Sequence, residues 1–209
     1  MLPLDTVLTF FATAVMLALA PGPDIIFVLT QSALYGMRAG VATTLGLVSG
    51  LCFHTAIVAV GVAGLLMASP LAFGLLTVAG AAYLLYLAWL SFRAGASVAH
   101  LQESRFLGYG ALYRRGIIMN VTNPKVTLFF LAFLPQFCAP ERGGVALQVM
   151  ELGLLFMLAA LLVFVAVSAL GGRLALWFNS SPRGQMLMHR IAGLVFVGLA
   201  VMLVVSWLA

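Results

Sequence analysis

Charge is scarce in this 209-residue sequence, where only 7% of the residues are Asp, Glu, Lys or Arg. A soluble domain carries about 25%, so a water-facing surface cannot be assembled. With 64% hydrophobic residues and a mean hydropathy of +1.19, soluble enzymes, secreted disulfide scaffolds and disordered chains are excluded. Cysteine is scarcer still. Cys52 and Cys138 stand far apart inside apolar runs, which argues against a disulfide framework or a Cys/His cluster; both are expected to be inert buried thiols. Lysine occurs once, at Lys125, beside nine arginines. The net charge of +5 does not point to nucleic acid, because the basic residues form no stripe that could follow a phosphate backbone. An integral membrane protein remains.

What the sequence does contain is long apolar runs. They cover residues 7–32, 40–69, 71–92, 116–138, 145–170 and 186–208. Each reaches the ~20 residues needed to cross about 30 Å of hydrocarbon. The runs are continuous rather than alternating, which favours helices over a membrane β-barrel. The expected fold is an all-α integral membrane domain spanning 1–209, with six transmembrane helices. Ser69-Pro70 supplies the turn between spans two and three, Gly171-Gly172 ends span five, and Asn179 to Pro182 forms the next loop. Residues 93–115 form a cytoplasmic loop. Ala18-Leu19-Ala20 resembles a signal-peptidase site, but Asp5 in a leader lacking Lys and Arg, and Pro21 after the cut, favour a retained first span.

Arginine placement orients the bundle. Arg38, Arg93, Arg105, Arg114, Arg115, Arg173, Arg183 and Arg190 share one side, and only Arg142 lies on the other. Eight against one places both termini outside. Tyr35, Tyr86, Trp89, Tyr109, Tyr113 and Trp177 fall at the inner boundary and Trp207 at the outer one, as aromatic belts do.

Two spans carry more than an anchor needs. Span one contains Pro21, Gly22, Pro23 and Asp24; span four contains Asn120, Asn123, Pro124 and Lys125. Proline removes a backbone donor and clashes with the preceding turn. Asn123 suits an N-cap and Pro124 the first helical position, and Gly22-Pro23 can play the same parts. Helices 1 and 4 are therefore expected to be interrupted near the midplane, roughly 5 Å to its inner side at 1.5 Å per residue. Val78 to Tyr83 in span three also resembles Ile191 to Phe196 in span six. Three spans per half is an odd number, so repeat one (about 1–95) and repeat two (about 114–209) would be inverted. Inverted repeats with broken helices mark a transport site.

Each break holds an ionisable residue, and a charge at a helix centre costs about 2.5–3.5 kcal/mol. Such a residue is a functional site or has a partner. Asp24 is a candidate for a substrate ammonium or a coupling proton. Lys125, with the two half-helix N-termini, is a candidate for a carboxylate. Asn120, Asn123 and Gln136 can add neutral hydrogen bonds. The other reading is that Asp24 and Lys125 pair and simply hold the halves together. A zwitterion fits the opposite charges best. His54 is a proton relay or a hydrogen-bonded packing residue. Gly46 and Gly50 form a GxxxG packing element. Thr30, Gln31 and Ser32 belong to a solvated helix end or line the inner mouth. Glu151 is interfacial, and Tyr83 and Tyr86 line the path or sit in the belt. Ser49 and His54 lie five residues apart, about 140° around a helix, so they cannot form a nucleophile–base pair; no catalytic residue, metal site or cofactor is expected.

At these motifs the chain resembles the LysE/RhtB amino-acid exporters. The matching stretches are Ala20 to Asp24, Gly36 to Gly40, Tyr83 to Leu87 and, most specifically, Asn120 to Lys125 running into Leu128 to Phe130 and Phe133 to Phe137. The resemblance covers nearly the whole chain. It implies a six-span bacterial inner-membrane exporter of amino acids or small derivatives, driven by protons. An exporter of a metal or other cation on the same fold is the alternative, though it would want clustered ligands and Asp24 alone qualifies. Assembly with further copies of the chain stays open.

Overall fold

A computed structural model describes residues 2–68, 70–95 and 106–208. Ser69 of the expected turn, residues 96–105 of the expected 93–115 loop and the C-terminal residue lie outside them; the end of that expected loop is instead helical, since α5 begins at Tyr109. The described residues are helical without strands. The helices are α1 (Leu4–Leu19), α2 (Pro23–Tyr35), α3 (Met37–Ala68), α4 (Pro70–Arg93), α5 (Tyr109–Val121), α6 (Pro124–Leu128), α7 (Val145–Ser180) and α8 (Pro182–Leu208).

Four of them, α3, α4, α7 and α8, are long and apolar enough to cross a membrane. The other two candidates are broken, as the prolines require. α1 and α2 meet at 60°, and α5 meets the segment Pro124–Phe137 at 49°. If each bent pair is one span, there are six. Leu8, Leu75, Leu154, Leu194 and Val205 point outward and are mostly exposed, which in water would be costly and in lipid is not.

The breaks have local causes. At the first, Gly22 is extended and Pro23 opens α2. At the second, Asn123 caps α6 by accepting the Lys125 N–H at 3.0 Å, and Pro124 follows as the first helical residue. Beyond α6 the helix widens into a π segment, Phe129–Phe133, then tightens to a 3-10 turn, Leu134–Phe137. Pro135 explains this, since its ring would strike the carbonyl four residues back in a regular helix. The widened segment feeds a cluster of buried rings, with Phe129 touching Phe10, Phe130, Phe133 and Phe156.

α3 and α7 form the centre and pack on one another. α1 and α2 lie against α7, α5 lies against α3, and α4 pairs with α8. Small residues allow these approaches. A methyl on Gly46 would overlap the Tyr113 carbonyl oxygen, and one on Gly116 would sit 2.5 Å from the Thr43 oxygen. The GxxxG element is thus a packing seam between α3 and α5.

Three expectations change. Gly171-Gly172 does not end span five, and α7 runs on to Ser180. Gly171 instead lets Ser32 of α2 pack against α7 where a methyl would overlap it; that contact offsets the ~1 kcal/mol that glycine costs inside a helix. Gln31 and Ser32 are buried rather than solvated, because α2 sinks into this seam. Cys52 is exposed on the outer face of α3 rather than buried, where an apolar thiol meets lipid at no penalty.

Candidate functional site

Each break leaves backbone carbonyls at the end of its first half-helix without intrahelical donors. In hydrocarbon these must be satisfied by protein. At the end of α1, Lys125 Nζ donates to Ala20 O at 3.3 Å and to Leu17 O at 3.4 Å. At the end of α5, His54 Nε2 donates to Asn120 O at 3.1 Å. A cation at a helix C-terminus is also favoured by the macrodipole. Lys125 therefore belongs electrostatically to α1, although it stands in the first turn of α6.

The breaks are tied together a second time. Asn123 Nδ2 donates to Asp24 Oδ2 at 2.7 Å. Asp24 opens α2, where a carboxylate complements the positive end of the helix. Asn123 thus spans the junction, with its Oδ1 capping α6 and its amide holding Asp24. Among the described residues no ion pair joins Asp24 to Lys125. The two charges are held by separate partners from the opposite break.

Asp24 is 3% exposed and Asn120 2%. Asp24 Oδ1 and Asn120 Oδ1 are buried and accept no hydrogen bond. Both residues line one small cavity between the breaks, with Lys125 beside them. Leu17, Leu47 and Leu51 line its other sides, and α7 closes it with Phe156, Ala160 and Phe164. Its volume is about 20 Å³, which holds about one water molecule and no amino acid.

The structure therefore brings Asp24, Asn120, Asn123 and Lys125 together, along with Pro21, Gly22, Pro23 and Pro124 that shape the breaks. Gln136 is not among them. It lies in the 3-10 turn and donates to Thr77 of α4 at 3.2 Å. His54 packs against Phe130 and seals the α5 terminus. Ser49 bonds Tyr113 at 2.9 Å, well apart from His54's partners. Tyr83 and Tyr86 are ring neighbours on α4 and do not line the cavity. Sequence reading missed the α7 wall, because Phe156, Ala160 and Phe164 look like any other apolar residues until α7 is docked.

Three comparisons bear on this arrangement. The model of the LysE type translocator family matches residues 15–206. A homoserine/homoserine lactone efflux protein of Salmonella typhimurium is 33% identical over 188 residues, covering 90% of each chain. An uncharacterized membrane protein of Vibrio cholerae is 32% identical over 196 residues, covering 94% of this chain and 95% of its own. No solved structure matches.

Proposed function

Because the chain belongs to the LysE type translocators, a family of multi-pass membrane transporters, we propose that it exports small amino acids or their derivatives across the bacterial inner membrane. The observation that carries this reading is the pair of unsatisfied buried acceptors, Asp24 Oδ1 and Asn120 Oδ1, at the meeting point of two broken helices. An unmet acceptor buried in hydrocarbon costs about 1–3 kcal/mol, and an ammonium group with three donors repays it. The efflux protein of Salmonella typhimurium is named for homoserine and its lactone. Both carry an amino group and only one a free carboxylate, which suits a site with two unmet buried acceptors.

The packing supports two inverted repeats. α3 pairs with α7 and α4 with α8, which are spans two with five and three with six. α1 rests on α7 as α5 rests on α3. Exchanging the halves maps these contacts onto each other. Asp24 then serves as the group that alternately holds the ammonium and a proton, which couples export to the proton gradient. A metal-ion exporter finds no support, since no group of three His, Cys, Asp or Glu assembles among the described residues.

Purified protein in proteoliposomes with an imposed pH gradient should drive radiolabelled homoserine uphill, and collapsing the gradient should release it. Transport that is absent for a broad panel of amino acids, with folded protein in the bilayer, would reject the reading. The arginine bias supports a topology with both termini outside. A C-terminal alkaline phosphatase fusion should be active and a fluorescent-protein fusion dark; the reverse would mean that one bent pair re-enters instead of crossing.

A further inference from the structure

The cavity has two unlike walls. At the breaks it is polar, and Asp24 Oδ1 and Asn120 Oδ1 are buried there without a donor. Lys125 Nζ, the cation at this wall, already donates to Leu17 O and Ala20 O. The facing wall is the unbroken helix α7. Phe156, Ala160 and Phe164 recur every four residues, so they lie on one face, and all three line the cavity. Ala160 is 2% exposed and forms the notch between the two rings. Of the apolar groups around the cavity, only this wall presents aromatic rings to a substrate whose ammonium is held at Asp24 and Asn120.

We infer that Ala160 sets the size of the side chain this protein accepts, and that its substrates are small neutral amino acids. This rests on the export reading above. Asp24 is the one carboxylate in the lining, so a second positive charge on the substrate meets no partner. A negatively charged side chain would add a second carboxylate beside Asp24, with only Lys125, which already donates to two α1 carbonyls, to offset it. A bulky side chain meets two phenylalanine rings anchored on a helix that has no break to yield at. One methylene more or less in an apolar pocket is worth roughly tenfold or more in discrimination.

The test is competition for counterflow of labelled homoserine in proteoliposomes, using alanine, homoserine, leucine, phenylalanine and lysine. With the native protein, alanine and homoserine should compete, while phenylalanine and lysine should be at least tenfold weaker. Ala160→Leu should lower homoserine transport more than tenfold and leave alanine within about threefold. Ala160→Gly should improve competition by leucine several-fold, and it carries the test alone if the leucine variant does not reach the membrane. Parallel loss for all substrates in Ala160→Leu, an unchanged size limit in Ala160→Gly, or native competition by lysine equal to homoserine would each overturn the inference. Native protein that transports no amino acid would instead defeat the export reading itself.

Discussion

Asp24→Asn should reduce uphill export at least a hundredfold while the protein stays folded and inserted. The amide keeps the shape of the carboxylate and an oxygen that can accept from Asn123. What it loses is the charge facing the ammonium and the ability to take a proton. A hydrogen bond to a charged group contributes about 1.5–3 kcal/mol, against about 0.5–1.5 for a neutral one. A hundredfold loss corresponds to about 2.7 kcal/mol, so the loss of titration must add to the weaker bond. Downhill exchange, which needs no proton coupling, should fall less than uphill export.

Combining Asp24→Asn with Lys125→Met separates this role from a structural one. If the two charges held each other, removing both would restore folding and transport. They do not touch: Asp24 is held by Asn123, and Lys125 by the α1 carbonyls. Loss of Lys125 leaves Leu17 O and Ala20 O without that donor, at about 1–3 kcal/mol for each buried group. The double variant should therefore melt lower than Asp24→Asn alone and remain inactive uphill. Full uphill activity in the double variant would remove Asp24 from the mechanism.

The second large effect is on stability. Gly46→Ala should lower the melting temperature in detergent by roughly 5–10 °C, about 2–3 kcal/mol of overpacking in a chain of this length. The added methyl would overlap the Tyr113 carbonyl oxygen and lie 3.1 Å from the Gly116 Cα. Both neighbours are backbone, so no side chain can rotate away. α3 and α5 would have to separate along their whole contact, which would also strain the Ser49–Tyr113 bond. Gly198→Ala on α8 is the control. Nothing lies within 4 Å of its added methyl, so its stability should change by less than about 0.5 kcal/mol. Equal melting of both variants would show that the seam does not hold the bundle.

Some features were legible along the chain because their causes are local. Too few charges to face water, apolar runs of bilayer length and proline sterics act within one segment, and they predict membrane helices broken at Pro21 to Pro23 and at Pro124. Asn123 could be read as a cap because its bond to the Lys125 N–H spans two residues. The π segment was harder to see. Pro135 forbids a regular turn, but whether the chain bends, widens or stops there depends on the phenylalanines packed around it.

Partner choice was settled only by the tertiary structure. Asp24 and Lys125 have opposite charges and sit at matching breaks, so their pairing was a fair expectation. Folding gave each a different partner, because half-helix ends expose carbonyls that nothing in lipid can satisfy, and the nearest cation takes them. His54 adds a second donor to Asn120 O, which the Asn123 N–H already meets at 3.0 Å. Gly171 reads as a helix end by propensity, yet it serves as a contact, since the approach of Ser32 from α2 is invisible in the sequence around it. The cavity wall of Phe156, Ala160 and Phe164 belongs to this class as well. Helical spacing puts the three on one face, but only the docking of α7 across both breaks decides that this face meets the site instead of lipid.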